Sequence, residues 1–83
     1  MGELRVRKIQ EFIKQEVSNI LLRELKDPRL GFVTVTDARI TGDLREATVY
    51  VSLFGKSEEK QNTMKALKNA TGYIRTEVGR RLG

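Results

Sequence analysis

A long apolar stripe that stops at the chain's single proline is the sequence feature that most constrains the fold. Between residues 4 and 25, apolar side chains recur at the three- and four-residue spacing of one helix face: Leu4, Ile9, Phe12, Ile13, Val17, Ile20, Leu21 and Leu25. The residue before a proline is pushed out of the helical region, so this helix is expected to end near Lys26 and Asp27, ahead of Pro28. The chain therefore begins with one amphipathic helix whose apolar face must be covered by later elements.

The next two segments predict a pair of strands. Residues 32–40 are rich in β-branched side chains, and residues 46–54 alternate so that Val49 and Val51 share one face while Tyr50 and Phe54 share the other. Turn residues separate the segments, Gly42 among them. A connection this short predicts an antiparallel hairpin.

The remaining residues predict a second helical region that carries a glycine in its middle. Beyond Ser57, an expected N-cap, the apolar residues again form one stripe: Met64, Leu67, Ile74, Val78 and Leu82. Gly72 interrupts this pattern without changing its phase, although glycine in a helix interior costs about 1 kcal/mol relative to alanine. A kink that frees backbone N–H groups for a phosphate explains it, and so does close packing of another element. Residues 1–83 are thus predicted to form a single α+β domain.

The charge of the chain is concentrated near its C-terminal end. Residues 1–59 carry ten basic and ten acidic side chains, whereas residues 60–83 carry six basic ones against Glu77 alone, which accounts for the net charge of +5. This asymmetry indicates either a surface that faces a polyanion or a solvated lysine-rich helix.

The composition leaves little room for catalysis. The 83 residues include no Cys and no His, which removes thiol nucleophiles, the usual zinc ligands and the commonest general base. Gly55 and Lys56 follow a strand as the end of a P-loop would, but Tyr50 stands where that motif needs glycine. We therefore expect no enzyme activity, cofactor, metal or small-molecule substrate. No signal peptide or membrane span is evident, so a cytoplasmic protein is expected.

Several motifs together resemble the bacterial ribosome-binding factor A family, and the likeness covers nearly the whole chain. The first is Lys26-Asp27-Pro28-Arg29-Leu30-Gly31, the second is Asp43-Leu44 followed by Ala47-Thr48-Val49-Tyr50-Val51-Ser52, and the third is Ala70-Thr71-Gly72-Tyr73-Ile74-Arg75. Their order and spacing, rather than any one of them, carry the resemblance.

The resemblance implies a type II KH-like RNA-binding fold, ordered helix, strand, strand, helix, kink, helix. Ala70, Thr71 and Gly72 would be the kink, in place of the Gly-x-x-Gly loop of other KH domains, which this chain lacks. A third strand follows the last helix in that family, and we expect it to be missing here or to lie beyond the end of this chain.

The resemblance also implies a role in ribosome biogenesis. Members of the family bind the free 30S subunit, assist late processing at the 5′ end of 16S rRNA and support growth in the cold, without catalysing a reaction. The expected partners are accordingly 16S rRNA and the 30S subunit, with a GTPase of the assembly pathway as a further candidate.

The basic side chains of the second helical region are the predicted phosphate contacts: Lys65, Lys68, Arg75, Arg80 and Arg81. Arg5, Arg7 and Lys8 at the start of the first helix are predicted to extend this surface. Two alternatives remain open at this point. One is a protein-interaction module that adds a partner's strand to its sheet edge, and the other is a generic single-strand binder that stacks bases on Tyr50 and Phe54.

Overall fold

The computed structural model describes residues 2–82, which form two long helices and a two-stranded sheet. Helix α1 spans Gly2–Asn19 and continues into a π-helical turn at Ile20–Glu24. Strands β1 (Val33–Ile40) and β2 (Ala47–Leu53) follow, and helix α2 spans Ser57–Leu82. The predicted α+β class is confirmed, and the element order agrees with the KH-like fold that the resemblance implies.

The two strands pair antiparallel, as predicted, with one irregularity. Val33 lies opposite Leu53 and Val35 opposite Val51, but a β-bulge between Val35 and Asp37 shifts the register. The extra residue lets both Val35 and Ala38 point into the core although they are three positions apart. Plain alternation would have placed one of them in solvent.

The core lies between α1, one face of the sheet and one side of α2. Its buried members are Ile13, Val17, Ile20, Leu21, Val35, Ala38 and Val78, with Leu67 and Ile74 of α2 half-buried against them. Two ends of the predicted α2 stripe, Met64 and Leu82, are instead 40% and 44% exposed. The buried side of α2 is therefore rotated away from those two residues, and Thr63 and Ala66 occupy it. The other face of the sheet is covered by none of the described residues.

The first helix ends differently from the prediction. The α-helical hydrogen bonds give way at Ile20 to a π-turn, which closes when the Leu25 N–H donates to the Ile20 carbonyl at 3.1 Å. Leu25 itself is extended, with ψ of 131°. The helical segment thus stops at Glu24, two residues before the site inferred from Pro28.

Helix α2 is capped by Glu59 rather than by the expected Ser57. The Lys56 carbonyl accepts the first helical hydrogen bond from the Lys60 N–H, and the Glu59 carboxylate reaches back to accept the Lys56 N–H at 3.0 Å. This is the acidic half of a capping box. Gly55, with φ of 108°, supplies the left-handed conformation that leads into it.

Helix α2 runs as one helix through Ala70, Thr71 and Gly72, the residues at which a kink was expected. The Thr71 hydroxyl donates to the Leu67 carbonyl at 3.0 Å, which keeps threonine compatible with helical backbone. The peptide N–H groups beyond Gly72 are therefore not freed to bind an anion. Such back-bonding often bends a helix, so a bend at these three residues stays a prediction.

Candidate nucleic-acid interface

A basic groove lies between the end of β2 and the exposed flank of α2. The residues that line it are Leu53, Ser57, Lys60, Gln61, Met64, Lys65 and Lys68, and we call it the lysine groove. It is an open surface depression of about 380 Å³. The helical repeat places Arg75 two turns beyond Lys68 on the same flank, since seven residues make almost two turns.

The cations of this flank are not neutralised by carboxylates of the described chain. Among residues 2–82, Lys60, Lys65, Lys68 and Arg75 form no ion pair. Three of them were predicted as phosphate contacts, and the structure brings Lys65 and Lys68 together in one groove. Lys60 was not among the predicted contacts. Two glutamates precede it in the sequence, and they suggested that the start of the helix has no excess positive charge.

Arg81 has a different environment from the one predicted. Its guanidinium contacts three carboxylates, Glu24 at 2.7 Å, Glu16 at 3.2 Å and Glu77 at 3.3 Å. We call these three glutamates the carboxylate cluster. Because Glu16 and Glu24 belong to the first helical segment, Arg81 joins that segment to α2. Its charge is already paired within the fold, which disfavours the phosphate contact predicted for it.

Tyr73 adds a second connection at the same junction. Its hydroxyl donates to Glu24 at 2.7 Å. Hydrogen bonds from Arg81 and then Tyr73 lower the pKa of Glu24, and the same bond to Glu24 raises the pKa of Tyr73. The Arg81 pKa is raised, chiefly by its hydrogen bond to Glu24. All three groups are thereby held in their paired ionisation states around neutral pH.

The remaining predicted cations are separated from the lysine groove. Arg80 is exposed and lies 3.5 Å from Glu77, and Arg7 lies 3.6 Å from Glu3. The contacts Tyr73–Glu24 and Arg81–Glu16 show that α1 and α2 run antiparallel. At 1.5 Å per residue, Lys68 and Lys8 are therefore about 30 Å apart along the helix axes. The structure does not bring Arg5, Arg7 and Lys8 into one patch with the lysine groove.

The turn between α1 and β1 is fixed to α2 by a buried threonine that the sequence did not single out. Thr63 is fully buried, accepts the Gly31 N–H at 3.1 Å and donates to the Glu59 carbonyl at 3.0 Å. A Cβ on Gly31 would approach the Thr63 hydroxyl to 3.1 Å, so a larger residue there would crowd this contact. The sequence indicated the end of the helix ahead of Pro28, but it did not indicate this contact between residues 32 positions apart.

The same turn is closed locally by an ion pair. The Arg29 backbone N–H and guanidinium both donate to the Asp27 carboxylate, the latter at 2.8 Å. The side-chain bond is the main reason that the Asp27 pKa is lowered. Asp27 is therefore a structural residue of the turn.

Two further features of residues 2–82 concern metal-binding clusters and membrane-spanning helices. Within residues 2–82, no group of three or more acidic side chains is placed to hold a metal ion. No helix in that range combines the length and the apolar character required to cross a bilayer.

The described residues thus form an α+β domain with a basic groove beside its sheet, and sequence comparison gives the family. The ribosome-binding factor A profile matches residues 5–83. A relative described as ribosome-binding factor A, from Halothermothrix orenii, is 49% identical over 82 residues, which cover 99% of this chain and 67% of that relative. The chain belongs to the ribosome-binding factor A family. The family resemblance stated from the motifs is thereby confirmed.

Proposed function

We propose that this protein binds the free 30S ribosomal subunit through 16S rRNA and assists late maturation at the 5′ end of that RNA. The proposal rests on the lysine groove. The chain that carries this groove belongs to a ribosome-binding family. Lys60, Lys65 and Lys68 line this groove, and none of them pairs with a carboxylate of residues 2–82. Phosphate contacts of this kind supply much of the affinity of RNA-binding proteins.

The mechanism that fits these features is binding without covalent chemistry. Structured RNA is recognised mainly through its shape, its phosphates and its ribose hydroxyls. A protein that binds one rRNA conformer more tightly than another shifts the equilibrium between them by that difference in affinity. Such a shift is sufficient for an assembly factor, and it matters most in the cold, where misfolded RNA conformers escape slowly.

The proposed site is narrower than the one inferred from the sequence. It consists of Lys60, Lys65, Lys68 and Arg75 on the exposed flank of α2, and Arg80 lies at its far end. Arg81 is not included in the site because its guanidinium is paired with the carboxylate cluster. The basic start of α1, at residues 5–8, lies apart from this site.

Co-sedimentation with purified subunits tests the proposal. The full chain is mixed with free 30S subunits over a range of salt concentrations, with 70S ribosomes as the control. We expect pelleting with 30S that weakens steeply as salt rises, and little with 70S. Equal association with both particles, or binding that ignores salt, would contradict the proposal.

A further inference from the structure

The loop between β1 and β2 holds a leucine in a backbone conformation that leucine rarely adopts. Leu44 has φ of 63°, and among residues 2–82 it is the one residue other than glycine with a positive φ. This left-handed region brings the Cβ atom too close to the following carbonyl oxygen, and glycine, asparagine and aspartate are the residues that enter it most readily. The fold therefore maintains a strained residue at this position.

Hydrogen bonds within the loop hold Leu44 in this conformation. Its N–H donates to the Thr41 carbonyl at 2.8 Å, and the Thr41 N–H donates to the Glu46 carbonyl at 2.9 Å. The Thr41 hydroxyl donates to the Asp43 carboxylate at 2.6 Å and accepts the Glu46 N–H at 3.1 Å. The Arg45 N–H is shared between that hydroxyl and that carboxylate, at 3.2 Å from each. The backbone is thus fixed on both sides of the leucine.

The core formed by residues 2–82 does not explain why this position is a leucine. Every residue from 41 to 48 is exposed, and Leu44 itself is 39% exposed although its side chain is large and apolar. Leu44 belongs neither to the buried core nor to the partly buried side chains packed against it. Glycine or asparagine would adopt the same backbone conformation with less strain. Strained residues of this kind are concentrated at functional sites, which indicates a contact with another molecule.

The charges around Leu44 favour a protein partner over a nucleic acid. Residues 41–46, which we call the Leu44 loop, contain Asp43 and Glu46 against Arg45 alone, a net charge of −1. The Arg45 guanidinium lies 4.0 Å from the Asp43 carboxylate, so the one cation of the loop is already beside an anion. Phosphates would be repelled by this loop. An apolar side chain surrounded by charges of both signs is instead typical of a protein–protein contact, with an apolar centre and a polar rim.

We propose that the Leu44 loop is a protein-docking element, in which Leu44 inserts into an apolar depression on a protein of the small ribosomal subunit. The inference rests on the proposed function, and it adds a protein contact to the RNA contacts of the lysine groove. The hydrogen-bonded loop presents the leucine in one position before binding. Little conformational freedom is therefore lost when the partner binds.

Thermal melts of the full chain provide the first test. Leu44→Asn and Leu44→Gly are compared with the wild type, and Leu44→Met is the matched apolar control. Because asparagine and glycine relieve the strain, we expect both variants to melt at or above the wild-type temperature. Leu44→Met keeps the strain and should melt close to the wild type. If the asparagine and glycine variants both melt clearly below the wild type, Leu44 packs within the fold and the inference is overturned.

The second test measures binding of the same variants to purified 30S subunits and to protein-free 16S rRNA. We expect Leu44→Asn and Leu44→Gly to weaken 30S binding roughly five- to 50-fold, because they remove the apolar side chain that the partner buries. Leu44→Met should bind 30S subunits much as the wild type does. The affinity for protein-free 16S rRNA should be the same for all four proteins, since that RNA lacks the protein that Leu44 contacts.

The outcomes separate the docking role from the proposed function. Equal losses on 30S subunits and on protein-free rRNA would mean that Leu44 contacts RNA, which overturns the protein partner. Unchanged 30S affinity in the asparagine and glycine variants overturns the docking role, while salt-sensitive binding by those variants leaves the proposed function standing. A wild-type chain that does not bind 30S subunits would contradict the proposed function and the docking role together.

Discussion

At the scale of single residues, Thr63 is a small side chain that joins two distant segments of the chain. A threonine in the interior of a helix is ordinary in a sequence, and its hydroxyl usually bonds the preceding turn, as it does here with Glu59. Its second bond, from the Gly31 N–H, fastens the turn that follows Pro28 to α2. One hydroxyl therefore sets the distance between two segments that are far apart in the chain.

We predict that Thr63→Val destabilises the protein by about 1–3 kcal/mol. Valine keeps the shape but leaves the Gly31 N–H without an acceptor, which costs the desolvation of that group. Urea unfolding followed by circular dichroism measures the change. Thr63→Ser is the matched control, since it keeps the hydroxyl and loses only a methyl group. A serine variant less stable than the valine variant would show that packing, and not the hydrogen bond, is what Thr63 contributes.

Glu24 is the residue for which a pH dependence follows from the structure. Its pKa is lowered from the ordinary value of 4.5 because Arg81, and then Tyr73, donate hydrogen bonds to the ionised carboxylate. A lowered folded-state pKa means that the stabilisation is fully present well above the ordinary value and is lost as the pH falls through the folded-state value.

We therefore predict that Glu24→Gln makes the protein less stable at neutral pH but also less sensitive to acid. The stability difference between wild type and variant should shrink between about pH 6 and about pH 3. Thermal melts over that range provide the measurement. Glu11→Gln is the control, since Glu11 is an exposed glutamate that forms none of the ion pairs among residues 2–82. A difference for Glu24→Gln that stays constant with pH would mean that its ion pair with Arg81 contributes nothing to folding.

At the scale of elements, α2 raises the question of why it tolerates two glycines. A methyl group added at Gly72 or at Gly79 would meet nothing within 4 Å beyond the adjoining backbone of the helix itself. Close packing of another described element is thus excluded as the reason for Gly72, which was one of the two explanations left open by the sequence. Bending of the helix, or close approach of a bound molecule, remains as the functional explanation.

We predict that Gly72→Ala and Gly79→Ala each stabilise the protein by up to about 1 kcal/mol, because alanine favours the helix and nothing obstructs it. Only Gly72→Ala should weaken 30S binding in co-sedimentation, since Gly72 lies beside Lys68 and Arg75 and within the proposed bend. Gly79 serves as the matched control on the same flank, two helical turns further on. Equal 30S affinity for both variants would discard the proposed role of Gly72.

At the scale of the whole molecule, the antiparallel arrangement of α1 and α2 places most of the basic residues predicted as phosphate contacts in two groups. One surrounds the lysine groove, and the other, at Arg5, Arg7 and Lys8, lies about 30 Å away along the helix axes. The carboxylate cluster between them removes Arg81 from the available positive charge. The basic residues of α2 and those at the start of α1 are thus presented on two separate surfaces and not on one.

We predict that the double reversal Lys65→Glu and Lys68→Glu weakens 30S binding and lowers the slope of log affinity against log salt by about two. The double reversal Arg5→Glu and Lys8→Glu changes the net charge by the same amount at the other end of the molecule. It should cost less affinity, with a smaller change in slope. Co-sedimentation at several salt concentrations compares the two. Equal effects would indicate that long-range attraction, rather than contact at the groove, governs binding.

Much of the architecture was predictable from the sequence because it depends on local periodicity. The 3.6-residue stripes placed both helices, the alternation at Val49 and Val51 identified β2, and the short connection forced a hairpin. The grouping of Lys65 and Lys68 was also local, since residues three apart on a helix are neighbours. The family was evident from the order of three motifs, which is likewise a property of the chain as written.

Only the tertiary structure decided the contacts between residues distant in the chain. Arg81 pairs with Glu16 and Glu24 across two helices, Thr63 meets Gly31 across 32 residues, and Phe32 comes to lie beside Phe54 through the strand register. Periodicity assigns a side chain to a face but cannot say which distant group stands opposite it. That information arises only when the helices and strands pack. Here it distinguishes Arg81, which joins two helices, from the cations that line the lysine groove.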